Sequence, residues 1–432
     1  MRQQGTTTGA RHRPVAVLLG PCPAEVAAAR RAGARTVVVA PDPSVPSDRE
    51  GAERRVRTDW RDHPRLVGAV ARLAEVRHGR ARVFGFGPAT ALAAARANEA
   101  LGLPGTAPSA VTALMDKAAL RARANTLHPA RPVSFARCGR AALIPFLATL
   151  IGYPCVIKPR AGSHGEGVLV VHDEAGARAA APHYPEVTDL LVEEFLEGPE
   201  LAVQTLSRQG RHRVLGWTRS LPAPAHDPAS ASAPDPGQPV HAPTAHAPTA
   251  RGHDAPVALD PATAEAVRAL VRGVLDLAGH RDGPSHTEVV LTARGPRLIE
   301  THPHPGAEEV TQLLRLAHGT DVLAHALSAG LGLPAPVRKP PATAHAGLRY
   351  VDFPPGGGPP GAADALAAAR ALPGVVRVQL QVPPDATVRR APTGALHHAY
   401  VLATGPTRPA LTRSLDRATT LLHAPAPARR SR

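Results

Sequence analysis

Apolar and polar positions along the first hundred residues fall into short, alternating blocks. Val15–Leu19 is an unbroken apolar run, an Ala-rich stretch follows to Ala32, Gly33 ends it, and Thr36–Ala40 is a second apolar run. Leu66, Val70, Leu73 and Val76 recur at the spacing of one helical face. Arg82–Phe86 reads as a third strand and Ala89–Leu101 as another helix. Apolar runs separated by helical periods predict a small parallel sheet of the doubly wound type. The Gly20-Pro-Cys-Pro turn after the first run lacks the glycine spacing of a dinucleotide site.

The pattern then changes. A helix begins around Asp116 and Lys117, with Lys117 on its solvent-facing side, and Leu143–Leu150 forms another. That helix leads into Tyr153–Val171, YPCVIKPRAGSHGEGVLVV. Val156–Ile157 is β-branched and apolar, which predicts a buried strand. Lys158 follows directly, Gly162, Gly165 and Gly167 punctuate a polar turn, and Val168–Val171 is a second apolar run. Glycines let backbone N–H groups approach phosphate oxygens, and a lysine adds a point charge. The same pattern also suits an ordinary turn. Downstream, Leu190–Val192 is strand-like and ends on the carboxylates Glu193 and Glu194. Gly198–Pro199 turns the chain into Glu200–Thr205, and Val214–Trp217 extends the sheet.

Residues 221–251 break both periods. They are rich in Pro, Ala and Ser and carry a tandem HAPTA at 241–250. Such a segment buries too little to offset its ordering entropy, so it predicts a disordered insertion whose histidines are not ligands. Beyond Pro256, one helical face is marked by Val267, Leu270, Val271, Val274 and Leu275. Thr287–Thr292 and Arg297–Glu300, joined by a turn at Ala293–Pro296, predict a hairpin with Glu288 and Glu300 on paired strands. Two carboxylates about 4 Å apart repel by ~4 kcal/mol at an effective dielectric near 20. A dication between them removes that conflict, and Mg²⁺ prefers such oxygens. Two solvent-facing glutamates fit the same pattern. Residues 307–329 read as an amphipathic helix pair and 332–343 as a Pro-rich linker. Gly347–Phe353, a helix near 361–372, Val375–Val382, Ala399–Ala403 and a helix over 407–422 predict a small α+β unit.

Composition narrows the ligand class. Lys plus Arg exceed Asp plus Glu by 50 − 35, a net +15 that suits anionic ligands. The charge is spread along the chain, with no basic block interleaved with aromatics, which argues against nucleic acid. Aromatics are only 3%, so the cores must rest on Ala, Val and Leu. Cys22, Cys138 and Cys155 have no metal-type spacing and fit a reducing compartment. No apolar run reaches the roughly 18 residues of a membrane span, and the basic N-terminus precedes no signal-type apolar core. A cytoplasmic protein with no membrane association is expected.

Five stretches in order resemble the ATP-grasp superfamily: DKAALR with Lys117, VIKPRAGSHGEGV with Lys158, LVEEFLEGPE with Glu193 to Glu200, HTEVVLTARGPRLIE with Glu288 and Glu300, and THPHPG after it. The resemblance runs from about residue 14 to about residue 422. It implies an α/β and α+β architecture: a doubly wound parallel pre-domain at 14–112, an ATP-grasp domain at 113–335 that carries the 221–251 insertion, and a small C-terminal α+β subdomain at 345–422. Disordered tails, 1–13 and 424–432, flank these. It also implies ATP and Mg²⁺, or Mn²⁺, as cofactors.

Carried over by position, Lys117 and Lys158 would contact phosphates, with Lys158 also near the adenine. Gly162, Ser163, His164, Gly165, Glu166 and Gly167 would close over the β- and γ-phosphates. Glu193 and the Glu194–Phe195–Leu196 segment would read the adenine edge, and Glu200 the ribose. Glu288, Glu300 and His302 would hold the metal. SHTEVVLTARGPRLIE and the C-terminal layout resemble the L-amino-acid (dipeptide) ligase-like branch of carboxylate–amine ligases. That branch activates a carboxylate as an acyl phosphate, which an amine attacks to give an amide, ADP and phosphate. The partners implied are a small carboxylate and a small amine, and a homodimer of the kind common among similar enzymes. Lys158 and His304 would serve catalysis, and His253 would face the substrate.

Two positions depart from the family pattern Glu-x-Asn-x-Arg. The metal-ligating Asn is His302, and the Arg that clamps the acyl phosphate or substrate carboxylate is His304. Imidazole is a softer ligand and lacks the guanidinium fork. The departures leave two further readings open: a nucleotide binder without efficient turnover, and, from the three-part layout, a carboxylase-like enzyme that activates bicarbonate.

Overall fold

The computed structural model describes residues 13–41, 52–162, 165–222, 245–246, 250–336, 345–353, 362–382 and 397–423. The N-terminal part runs β1 (Val15–Leu19), α1 (Pro23–Arg31), β2 (Arg35–Ala40), β3 (Arg54–Arg57), α2 (His63–Ala71), α3 (Ala74–Arg77), β4 (Ala81–Phe84) and α4 (Pro88–Ala100). Its strands form a parallel sheet in the order β3-β2-β1-β4. All of β1 is buried, as a strand covered by helices on both faces must be. β3 has no apolar signature because it is an edge strand, RRVR, with three arginines outward. Asn98 on α4 fastens β4, accepting from the Val83 N–H at 2.9 Å and donating to its carbonyl at 2.8 Å.

α5 (Pro108–Met115) and α6 (Lys117–Thr126) lead into a small lobe. Asp116 caps α6 by accepting from the Ala119 N–H at 3.0 Å. The lobe contains β5 (Phe135–Arg140), α7 (Ile144–Ile151), β6 (Cys155–Pro159), β7 (Leu169–Val171), α8 (Glu174–Ala180) and β8 (Val187–Glu194). Cys155, Ile157, Leu169, Val171, Leu190 and Val192 pack on one face of its sheet, under α7 and α8. Lys158, alternating with these, takes the other face.

A large sheet follows. It is built from β9 (Glu200–Arg208), β10 (Arg211–Pro222), β12 (Ala250–Ala255), β13 (Gly283–Thr292), β14 (Gly295–His302), β15 (His345–Val351), β16 (Val375–Leu380) and β17 (Ala399–Gly405), while β11 (Ala245–His246) joins β7 of the small lobe. The helices are α9 (Pro261–Leu277), α10 (Glu308–His318), α11 (Val322–Gly330), α12 (Ala362–Arg370) and α13 (Arg408–His423). The large sheet has the order β14-β13-β9-β10-β12-β15-β17-β16.

Two expectations change here. The C-terminal strands keep a core of their own around Phe353, Val378, Val401 and Leu415, but not a sheet of their own, because β15 pairs with β12 from Gly252↔Arg349 to Ala255↔Ala346 and continues the large sheet. The insertion is also narrower than 221–251. Leu221 and Pro222 end β10, residues 245–246 form β11, and residues 250–251 open β12. Leu221, Pro222, Ala245, His246 and Ala250 gain strand partners that composition does not reveal. The rest of that segment, and both tails apart from Arg13, lie outside the described residues. Among the described residues no helix is long and apolar enough to cross a membrane.

Candidate functional site

Three segments converge where the small lobe faces β13 and β14. From the small lobe comes the turn between β6 and β7. Gly162, Gly165 and Gly167 have φ of 124°, 70° and 67°, conformations that side chains disfavour. Ser163 and His164 lie outside the described residues. Lys158 sits at the end of β6 and is 3% exposed. Its ammonium pairs with Glu193 of β8, whose second oxygen accepts from Arg121 Nε at 3.0 Å. Burial alone would raise the Glu193 carboxyl; Arg121 and Lys158 outweigh it and hold the group below its ordinary range.

Lys117 is not the solvated lysine its pattern predicts. It is 8% exposed. Nζ donates to the Gly162 carbonyl at 2.6 Å and lies 3.1 Å from Glu300 Oε2. Those two partners compensate the desolvation of the ammonium. One side chain from α6 therefore bridges the glycine turn and β14. Four residues on, Arg121 completes the Glu193 cluster, a role the sequence reading did not give it. Arg160 is a second such residue: its Nε donates to the capping carboxylate of Asp116 at 2.8 Å.

Glu194 is turned away from Glu193. It pairs with Arg294 of the β13–β14 turn and accepts from the Ser134 N–H at 3.3 Å, so it ties the two lobes at the hinge. Phe195 is 36% exposed and Leu196 half-buried just beyond.

The hairpin carries the acidic side. Glu288 and Glu300 are direct cross-strand partners, as expected, so their side chains share a face. Glu200, at the start of β9, lies near both. Its carboxyl is pushed up to about 8, first by burial and then by Glu288 and Glu300. Glu300 moves the other way. Burial opposes the shift, but His302, Lys117 and Lys158 hold it well below the carboxylate range.

Histidines replace the expected amide and guanidinium. The rings of His286 and His302 stack at 6.0 Å, and those of His302 and His304 at 5.2 Å. The Gly306 N–H donates to Gln204 Oε1 at 3.0 Å, which turns the Gln204 amide nitrogen toward His286 Nδ1 at 2.7 Å. His286 then presents Nε2–H to Glu288 at 3.3 Å. A side chain at Gly306 would stand 2.8 Å from Gln204 Nε2 and 3.0 Å from His286 Nδ1, so it would push this pair apart. His304 Nδ1 donates to the Pro305 carbonyl at 2.7 Å.

His302, expected to hold the metal, turns toward Glu300. Its Nε2 lies 2.7 Å from Glu300 Oε1. Burial would depress the imidazole pKa, but Glu300 outweighs burial and raises it. That nitrogen is thus engaged by the Glu300 carboxylate. Among the described residues no three His, Cys, Asp or Glu side chains come close enough to hold a metal ion. Glu288 and Glu300 still fit one in kind, being hard oxygen donors on adjacent strands whose charges, with Glu200, oppose each other.

His253 is in β12, buried rather than solvated beside an insertion. Its Nδ1 lies 3.5 Å from Thr218 Oγ1, and its ring meets the Tyr350 ring edge-on at 6.3 Å. Burial first, and then His286, depress it to about 4, so it is neutral at physiological pH.

Two family models match this chain: an ATP-grasp domain over residues 140–305 and the L-amino acid ligase C-terminal domain 2 over 354–424. An uncharacterised protein of Sinorhizobium fredii, y4rH, is 26% identical over 411 residues, 91% of this chain and 78% of its own length. Among solved structures, an L-amino acid ligase from Bacillus licheniformis superposes with a TM-score of 0.74 at 21% identity, covering 96% of this chain and 99% of its own. Carboxyaminoimidazole ribonucleotide synthase from Aspergillus clavatus, complexed with ATP, superposes at 0.69 with 15% identity, covering 95% and 98%. These likenesses establish the ATP-grasp fold.

Proposed function

We propose that this ATP-grasp chain is an ATP-dependent carboxylate–amine ligase, activating a carboxylic acid, in the first instance an amino acid, as an acyl phosphate. The carrying observation is Lys117, whose ammonium touches both the glycine turn and Glu300. A polyphosphate between those two elements would meet Lys117, Lys158 and the backbone N–H groups around Gly162, Gly165 and Gly167. Phosphoryl transfer needs this positioning and charge neutralisation more than covalent chemistry. The hinge from Glu193 to Leu196 would receive the adenine and Glu200 the ribose. Glu288 and Glu300 would hold Mg²⁺ or Mn²⁺, which, when bound, neutralises charge on the phosphates.

In the reaction a substrate carboxylate oxygen attacks the γ-phosphorus and ADP leaves. The amine then attacks the acyl carbon, phosphate departs and the nitrogen loses a proton. His304 would stand where a guanidinium would clamp the acyl phosphate, and with Nδ1–H given to the Pro305 carbonyl it lacks the fork of that group. His253, neutral and buried, would line the acceptor side. Incubation with ATP, Mg²⁺ or Mn²⁺, amino acids and hydroxylamine tests the reading. A hydroxamate, with amino-acid-dependent ADP, is expected; neither product with either metal would overturn it.

One observation favours a second reading. His302 occupies Glu300 through Nε2, which suits a protein that binds nucleotide and turns it over weakly. Tight ATP binding without ADP release, reversed by His302→Asn with His304→Arg, would select it. ADP release dependent on bicarbonate would instead select the carboxylase-like alternative.

A further inference from the structure

The glycine turn is held from two sides. On the site side, Lys117 binds the Gly162 carbonyl. On the opposite face of the small sheet, Tyr184, just after α8, reaches the other end of the turn. Its Oη donates to the Gly167 carbonyl at 2.8 Å and lies 3.5 Å from the Ile157 carbonyl. The ring packs with Cys155, Ile157, Leu169 and Val171 in the lobe's core. Gly167 is fixed in turn: its φ is 67°, and a side chain there would stand 3.0 Å from Pro159 and 3.9 Å from the Tyr184 ring. Behind the turn, Pro159, Gly162, Gly167, His183 and Tyr184 help to line a recess of about 290 Å³. Burial raises the phenol pKa, which keeps the hydroxyl a proton donor at physiological pH.

We infer that Tyr184 is a positioning residue for the nucleotide site: its hydroxyl sets the C-terminal end of the glycine turn from behind and so aims the N–H groups from Gly165 to Gly167. It touches no substrate and acts only through Gly167. The inference concerns the turn's geometry before any ligand arrives, and rests on the ligase reading only for its effect on ATP.

The test is Tyr184→Phe, which keeps the ring and removes the hydroxyl. Tyr153→Phe is the control, because the Tyr153 hydroxyl lies 3.2 Å from Thr149 on α7 and makes no contact with the turn. A single neutral hydrogen bond is worth about 2- to 10-fold in an equilibrium. In nucleotide-free protein, amide exchange at Gly167 to Leu169 should quicken by about that factor in Tyr184→Phe and not in Tyr153→Phe. The Kd for ATP, by calorimetry, should weaken about 2- to 10-fold with the melting temperature nearly unchanged. Wild-type exchange at those amides overturns the inference, as does an equal change in both variants. If wild-type protein binds no ATP, the ligase reading fails, while the exchange measurement still decides on Tyr184.

Discussion

Two charged clusters face each other across the cleft, and they are finished differently. In the small lobe, Glu193 takes Lys158 on one oxygen and Arg121 on the other, and Asp116 takes Arg160. Each carboxylate there has its cation. On the other side, Glu288 and Glu300 of the hairpin and Glu200 of β9 crowd one another, with Lys117 and His302 both spent on Glu300. A cluster that balances itself is an instrument of folding. One that leaves carboxylates opposed is stable only at a cost, and binding is what relieves it.

The sharpest way to break that contrast is at Glu193. Glu193→Gln leaves Lys158 and Arg121 buried without their anion and should cost about 3–5 kcal/mol in urea unfolding. An unchanged unfolding midpoint would show that the small-lobe cluster is not self-contained.

Acid offers the next test. His280 in the large lobe is buried and depressed to about 4, mainly by burial. Its folded pKa lies below its unfolded value near 6.5, so its contribution is complete above pH 6.5 and lost as pH falls to 4, about 3 kcal/mol in all. Asp116, which caps α6 and meets the small lobe's Arg160, is depressed to about 2, chiefly by its hydrogen bonds with Arg160. Its contribution is complete above pH 3.8 and lost only as pH falls toward 2. Segment-resolved hydrogen exchange should therefore loosen the end of α9 before α6, and the reverse order would contradict the assignment.

Glu288→Gln should invert the Glu193 result. It removes one of the opposed charges, so the unfolding free energy should stay within about 0.5 kcal/mol of wild type. ATP-dependent hydroxamate formation should fall at least about 100-fold. A large loss of stability would mean that Glu288 belongs to the fold rather than to the site.

The smallest effect is expected at the histidines. His302→Asn removes the ring that engages Glu300 and should tighten the apparent affinity for Mg²⁺ and Mn²⁺ alike, by about 2- to 10-fold. Unchanged affinity for both metals would argue that His302 has no bearing on the cation.

How much of this was legible in the chain follows sequence distance. Lys158 and its glycines, and Glu288 opposite Glu300, were readable because each is local: a strand with its turn, and one hairpin. The helical pattern alone pointed Lys117 to solvent because its partner, Glu300, lies 183 residues on, and no such pattern announces a cation that will be buried by so distant a strand. Arg121 was passed over for the same reason, its Glu193 being 72 residues away. β3 was missed because an edge strand of arginines carries no alternation. The pairing of β12 with β15 escaped because composition marked β12 as the end of an insertion, while its partner lies almost a hundred residues later. His302 could be flagged as a departure from Asn, but its bond to Glu300 depends on the hairpin register.

The seam between β12 and β15 also says how this molecule could be taken apart. A cut between residues 336 and 345 would separate the chain into two fragments, each exposing a strand edge shaped by the other. Unpaired edges recruit strands, and here each fragment carries the strand the other lacks. Produced together, the two pieces would be complementary halves, and restored activity would become a reporter of their reunion.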